Sequence, residues 1–311
     1  MSRLFTDDDL ASLARTPHDQ VADAVAGDDD NVTRPLVASL ERSFAGTVAG
    51  TRNWVTHTLA FVARERSAEE LAQLVAATQR FFAVYPGAPV PDAPGPGSPG
   101  PDGAAGGSDA GPIADLAAHG EHGPALARFD AMEARWRALQ DQYRDWLSTI
   151  LSTIYRSMGI DVLEAALRDS AQRTLFDWMP TDMARAPEKR LPSWVRMLQG
   201  HFSVLRIEED DEKFTLTQDP CGTCTRQIEQ GRYGPPLDLA VVEERHRTTW
   251  FRGETPIYRA HVPLWHVALA GELVGVPWPV NQCPAGLGTG PCNVLLYKDP
   301  RNPAAAGEVP T

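Results

Sequence analysis

The chain runs to 311 residues, 42% hydrophobic and 23% charged, enough to bury a sizeable core and long enough for two structural units. Acidic residues outnumber basic ones 41 to 29, a formal net charge of -12, which argues against a nucleic-acid backbone or an anionic membrane surface as partner. The Met1 to Leu10 segment carries one basic residue and an acidic run instead of a secretory apolar stretch, and no apolar run approaches the ~18 residues of a membrane span; a cytoplasmic protein is expected.

In chain order, Thr6 followed by acids is an N-cap signal for a helix starting near residue 7, and Ser67 with Glu70 is a second for a helix near 68. Residues 86–112 contain eight Pro and eight Gly, a composition that cannot pack a core and reads as a disordered linker. It separates 1–85 from the rest. Sliding the sequence against itself by 92 residues lays Ala22, Asp23, Ala26, Glu41, Arg52, Trp54, Leu59, Arg64 and Leu71 on identical residues, with Phe44 on Trp136. A duplicated helical unit follows, copy 1 in 1–85 and copy 2 in 113–180. In copy 2, Phe129, Met132, Trp136, Leu139, Tyr143, Trp146 and Ile150 recur at steps of three and four, one face of a long helix from about 125 to 158. The aromatic stripe reads as core, and the copies can pair within one chain or across a homodimer.

From His201 the pattern changes. The β-rich runs 201–207 and 213–218 flank five adjacent acids, Glu208 to Glu212, and together predict a β-hairpin. An apolar helix is expected over 262–274, short strands over 276–280 and 292–297, and a fraying tail over 299–311. The fold class is α+β: a duplicated helical unit, then an α+β domain over 181–298 with a small antiparallel sheet and a Cys/His-rich site.

That site is where chemistry concentrates. The hairpin runs into Asp219-Pro220-Cys221-Gly222-Thr223-Cys224, whose Pro and Gly force a turn that sets two thiols on adjacent corners. Cys283 and Cys292 flank a glycine-rich loop that lacks the Lys-Ser/Thr ending of a phosphate loop. In a reducing compartment these four cysteines point to metal binding or thiol chemistry and not to a disulfide framework. His246, Trp250, Arg252, Tyr258 and His266 gather imidazole, indole, guanidinium and phenol groups suited to holding a small polar ligand. His261 and His266 are five apart, not the i, i+4 of a helical metal pair, so only one is expected to face the cysteines.

A hairpin entering Asp219, Cys221, Gly222 and Cys224, a helix over Val262 to Gly275, and Gly290-Pro-Cys292 leading into Asn293 to Tyr297 together resemble the L-2-amino-thiazoline-4-carboxylic acid hydrolase-like family over about 113–298. Where that family places another cysteine near the later helix, this chain has His261, Trp265 or His266, and Cys283 has no counterpart. The resemblance implies hydrolytic opening of a small cyclic amidine or thiazoline and transfers a thiol role to Cys221, Cys224 and Cys292.

Two mechanisms use the same residues. In one, a thiolate at Cys221 or Cys224 attacks the ring carbon, His261 carries the proton and Asp219 orients it. In the other, a zinc ion held by Cys221, Cys224, Cys292 and His261 activates water. A non-catalytic ligand-binding or sensor module with a structural metal is the competing class, and a helical assembly protein is a third.

Overall fold

The structure is a computed structural model that describes residues 3–27, 29–85, 108–302 and 304–307. Among the described residues seven helices come first, in two sets. The first set is α2 (Pro17–Ala26), α3 (Asp30–Glu65) and α4 (Ala68–Val84), preceded by α1 (Asp7–Ala14); the second is α5 (Ala110–Ala118), α6 (His122–Met158) and α7 (Ile160–Thr174). Each set reads short, long, medium, and the starts differ by 93, 92 and 92 residues (110 less 17, 122 less 30, 160 less 68). The duplication seen in the sequence is thus a duplication of helices.

Local chemistry sets the boundaries. Thr6 with Asp9, and Ser67 with Glu70, each close a capping box in which side chain and backbone satisfy one another. Gly159, at φ 91°, lets the chain leave α6 and enter α7 at once, a conformation that an L side chain resists. The linker expected over 86–112 lies largely outside the described residues, but its last part is already helical from Ala110. Packing supplies the reason: Ala110 and Ile113 are buried against Val21, Leu40, Phe44 and Phe129.

The copies pack on each other within the chain, α3 lying against α5, α6 and α7, so their pairing needs no second molecule. One core takes Trp54 and Val62 from α3, Leu74 from α4, Leu147 and Ile154 from α6, Leu167 from α7, and Ile257 and Leu264 from the C-terminal third. The hydrophobic interior therefore crosses the boundaries expected between 1–85, 113–180 and 181–298. No helix among the described residues is long and apolar enough to cross a membrane.

Two further helices, α8 (Trp178–Met183) and α9 (Pro187–Gly200), lead to a four-stranded antiparallel sheet of β1 (Leu205–Glu209), β2 (Lys213–Gln218), β5 (Val280–Gln282) and β6 (Cys292–Tyr297) in the order β1-β2-β6-β5. Between β2 and β5 lie α10 (Cys224–Glu229), the two-residue ladder of β3 (Val241–Val242) with β4 (Thr255–Pro256), and a helix made of α11 (His261–Pro263), a π-helical turn over Leu264–Leu269, and α12 (Ala270–Val274). The inner sheet face, with Ile207, Phe214, Leu216, Val294 and Leu296, packs on Leu191, Trp194 and Trp278. Two expectations shift. Residues 201–203 belong to the end of α9, where His201 is the cap, and Val204 exchanges backbone bonds with Asp219 and Pro220 just ahead of β1. The strand expected over 276–280 begins at Val280, after Pro277 and Pro279, which have no N–H to donate. The tail expected to fray is partly packed: Ala304–Gly307 is helical, and Ala305 is buried against Val280, Leu295 and Tyr297.

Candidate functional site

Sheet register gathers the cysteines. Gln218, the last residue of β2, pairs with Cys292, the first of β6, so the Cys221–Cys224 turn leaves the sheet beside Cys292. Gln282 pairs with Asn293, which brings Cys283 alongside from the other flank; its Sγ lies 2.9 Å from that of Cys292. All four cysteines are free, and all but Cys283 are buried. Cys283, which has no counterpart in the family the sequence resembles, is therefore part of the cluster.

The turn is tightly held. Gly222 donates its N–H to Ser203 Oγ at 2.9 Å, and Ser203 donates to Gln218 Oε1 at 2.9 Å. Only glycine fits at 222, because a Cβ there would lie 1.9 Å from the carbonyl oxygen of His201. Within the turn the Cys221 thiol is held well below the usual thiol range by a hydrogen bond from Cys224, assisted by the Thr223 hydroxyl and the backbone N–H groups of Thr223 and Thr225. Cys224 is pushed well up, first by keeping the proton it shares with Cys221 and then by burial. Cys292 is pushed up in the same way by Cys283 and by burial. A thiol held low beside a thiol held high is suited to act as a nucleophile with its own acid.

Arg259 stands against this cluster. Its Nη1 donates to the carbonyls of Pro284 at 2.6 Å and Gly286 at 2.9 Å. Burial works against its charge, and Cys224, Cys283 and Cys292 more than restore it. Beside it opens a pocket of about 80 Å³ lined by Trp250, Arg252, Glu254, Arg259 and Pro284 among others.

The turn rests on a buried polar network that the sequence did not reveal. From α6, Arg144 pairs with Asp141 and Asp145 at 2.9 Å each and donates to the carbonyl of Thr223 at 3.3 Å and to Gln230 Oε1 at 2.9 Å. Arg226 answers from α10 with bonds of 2.9 Å to Asp141 and to Gln140 Oε1. Gln227 binds Asp145 and Ser148, both at 2.9 Å. Buried charges of this kind are tolerated because they are paired and hydrogen-bonded.

Of the residues expected at the site, Cys221, Cys224 and Cys292 come together, Trp250 and Arg252 line the adjoining pocket, and the others serve elsewhere. His261 turns Nδ1 to the carbonyl of Tyr258 at 2.5 Å, and its ring packs on Trp54, Tyr258 and Trp265 with centroids about 5 Å apart. Burial pushes its pKa down to about 3, and among the described residues it makes no hydrogen bond to a thiol. Tyr258 is buried in the same aromatic group. His266 binds the carbonyl of Trp278 at 2.9 Å. His246 caps the turn before Trp250 through the Thr248 N–H and faces Glu164 at 3.3 Å. Asp219 is exposed, with no side-chain hydrogen bond among the described residues. Consequently the expected zinc shell of Cys221, Cys224, Cys292 and His261 is not assembled: among the described residues no group of three or more His, Cys, Asp or Glu side chains is arranged to hold a metal ion. A search for relatives adds no precedent, since no family model, curated protein or solved structure matches the chain.

Proposed function

We propose that the protein is a thiol-dependent hydrolase that opens a C–N or C–S bond of a small cyclic amidine or thiazoline-like molecule. The observation that carries this reading is the cluster of free thiols that sheet register gathers at the turn, within which the Cys221 thiol is held low and the Cys224 thiol high by their mutual contact. The Cys221 thiolate adds to the electrophilic ring carbon; the ring C–N or C–S bond breaks as its heteroatom takes the proton of Cys224. Water then adds to the covalent adduct, giving a proton back to Cys224 as Cys221 leaves, so both thiols return to their starting state. Asp219 and His261 drop out of this scheme, because the first is exposed and the second is engaged with Tyr258.

The test is a turnover screen of cyclic amidines and thiazolines with wild type, Cys221→Ser and Cys292→Ser. The expected result is ring opening that falls by about a thousandfold or more in Cys221→Ser and survives in Cys292→Ser. Equal turnover in wild type and Cys221→Ser would overturn the reading. Burial of Cys221, Cys224 and Cys292 at 5–7% exposure favours a second reading, a ligand-binding module without catalysis; binding without turnover of any compound would support it.

A further inference from the structure

Beside the thiols, three groups that donate hydrogen bonds have donors left without an acceptor. Trp250 is 5% exposed, and its Nε1 has no partner. Arg259 is 2% exposed; its outer nitrogens reach the carbonyls of Pro284, Gly286 and Gly288, and the Cys224 thiol lies against the guanidinium, but among the described residues its Nε has no hydrogen-bond partner. The guanidinium of Arg252 lies 4.7 Å over the Trp250 ring, and among the described residues its side chain makes no hydrogen bond or ion pair. All three residues line the same pocket. Buried donors normally find acceptors, and a protein of net charge -12 has carboxylates to spare, yet neither arginine here pairs with one. Glu254, which also lines the pocket, forms no ion pair with either among the described residues.

The backbone around them is held in an uncommon conformation. Trp250, Phe251, Gly253 and Glu254 have φ of 51°, 56°, 80° and 44°, and three of the four carry side chains that resist this region. Such strain persists where surrounding structure enforces it, and it gathers at ligand sites. Here the enforcement comes from the His246 cap and from Thr249, whose hydroxyl donates to the carbonyl of Glu244 at 2.8 Å.

We propose that this pocket binds the carboxylate of a small substrate, with Arg252, Arg259 and the Trp250 N–H as its donors. A carboxylate offers two oxygens to planar guanidinium forks, and about 80 Å³ admits that group and a handful of further atoms. Arg259 lines the pocket and also faces the thiols, Cys224 first among them, so the pocket adjoins the cysteine cluster. Only the word substrate depends on the thiol-hydrolase reading; the anion site stands on its own donors.

The experiment is thermal unfolding of the full chain at fixed ionic strength, titrated with pyroglutamate, acetate, the uncharged 2-pyrrolidinone, inorganic phosphate and sodium chloride, for wild type, Arg252→Gln and Cys221→Ser. Expected is a saturable rise in Tm with pyroglutamate and acetate and none with 2-pyrrolidinone. Binding weakens about tenfold or more in Arg252→Gln, the effect of one charge-assisted hydrogen bond, and is retained in Cys221→Ser. Equal binding in wild type and Arg252→Gln, a response no larger than that to sodium chloride, or phosphate binding tighter than both carboxylates would overturn the proposal. Carboxylate binding without turnover in the screen would overturn the hydrolase reading and leave this one intact.

Discussion

Acidification acts on the turn through His201. Its Nδ1 lies 2.7 Å from Gln140 Nε2, and the Gln140 amide is oriented by Arg226, which donates to Oε1 at 2.9 Å. An amide nitrogen only donates, so Nδ1 must accept and carry no proton. Burial first, and the Arg226 guanidinium second, push the His201 pKa down from 6.5 to about 4. A histidine with a depressed folded pKa contributes stability that is fully present above its unfolded value and is lost as pH falls through that value toward the folded one. From about pH 7.5 to about pH 5 the unfolded chain gains this proton and the folded chain does not, which withdraws at most about 2 kcal/mol. Urea unfolding across that window reads the effect, and His201→Gln should flatten the loss by about that amount, since glutamine has no titrating group. The same pH dependence in His201→Gln and wild type would refute the claim that His201 is held neutral against Gln140.

Other perturbations test the frame around the thiols. Gly222→Ala places a methyl group onto the His201 carbonyl; a loss of about 3 kcal/mol in urea unfolding is expected, and a loss under about 0.5 kcal/mol would show that the turn can move aside. Arg144→Met leaves Asp141 and Asp145 buried without their shared partner, for an expected loss of about 3–5 kcal/mol; a neutral variant would show that Arg226, on Asp141, and Arg232, whose Nε lies 2.9 Å from Asp145, suffice to hold both acids. His261 contributes a second acid-sensitive group, because burial holds its pKa near 3. His261→Gln should therefore flatten stability against pH between about 6.5 and about 5, independently of His201→Gln.

Much of the fold was legible because it rests on local signals. Thr6 and Ser67 announce helix starts through their own side chains, the 92-residue offset places the second helical set, and alternation marks β2 while an apolar β-rich run marks β6. The missing part is chemistry between distant segments. Gln140, Asp141, Arg144, Asp145 and Ser148 form a polar strip on α6 that reads as a solvated face, yet it is buried because Thr223, Arg226, Gln227 and Gln230 satisfy it from about 80 residues away. Pro192 inside α9 hides a helix that packing sustains. At the site, Cys221, Cys224 and Cys292 were legible from the turn and strand that carry them. Cys283 was not, because C-x8-C has no ligand-like spacing; only sheet register brings it to Cys292. Arg259 carries no motif signal among its more conspicuous neighbours, and the imidazole of His261, suited to proton transfer by type, is engaged by Tyr258.

The account turns on Cys221 being a thiolate ready to react. Alkylation by a small iodoacetamide, followed by peptide mapping across about pH 6 to about pH 8, measures this directly in wild type and Cys221→Ser. The account predicts a modification at Cys221 whose rate persists toward pH 6, because the Cys221 thiol is held well below the usual thiol range, and which is lost in Cys221→Ser. Modification of Cys221 that slows about tenfold for each pH unit lowered, or that does not occur in the folded chain, would contradict it.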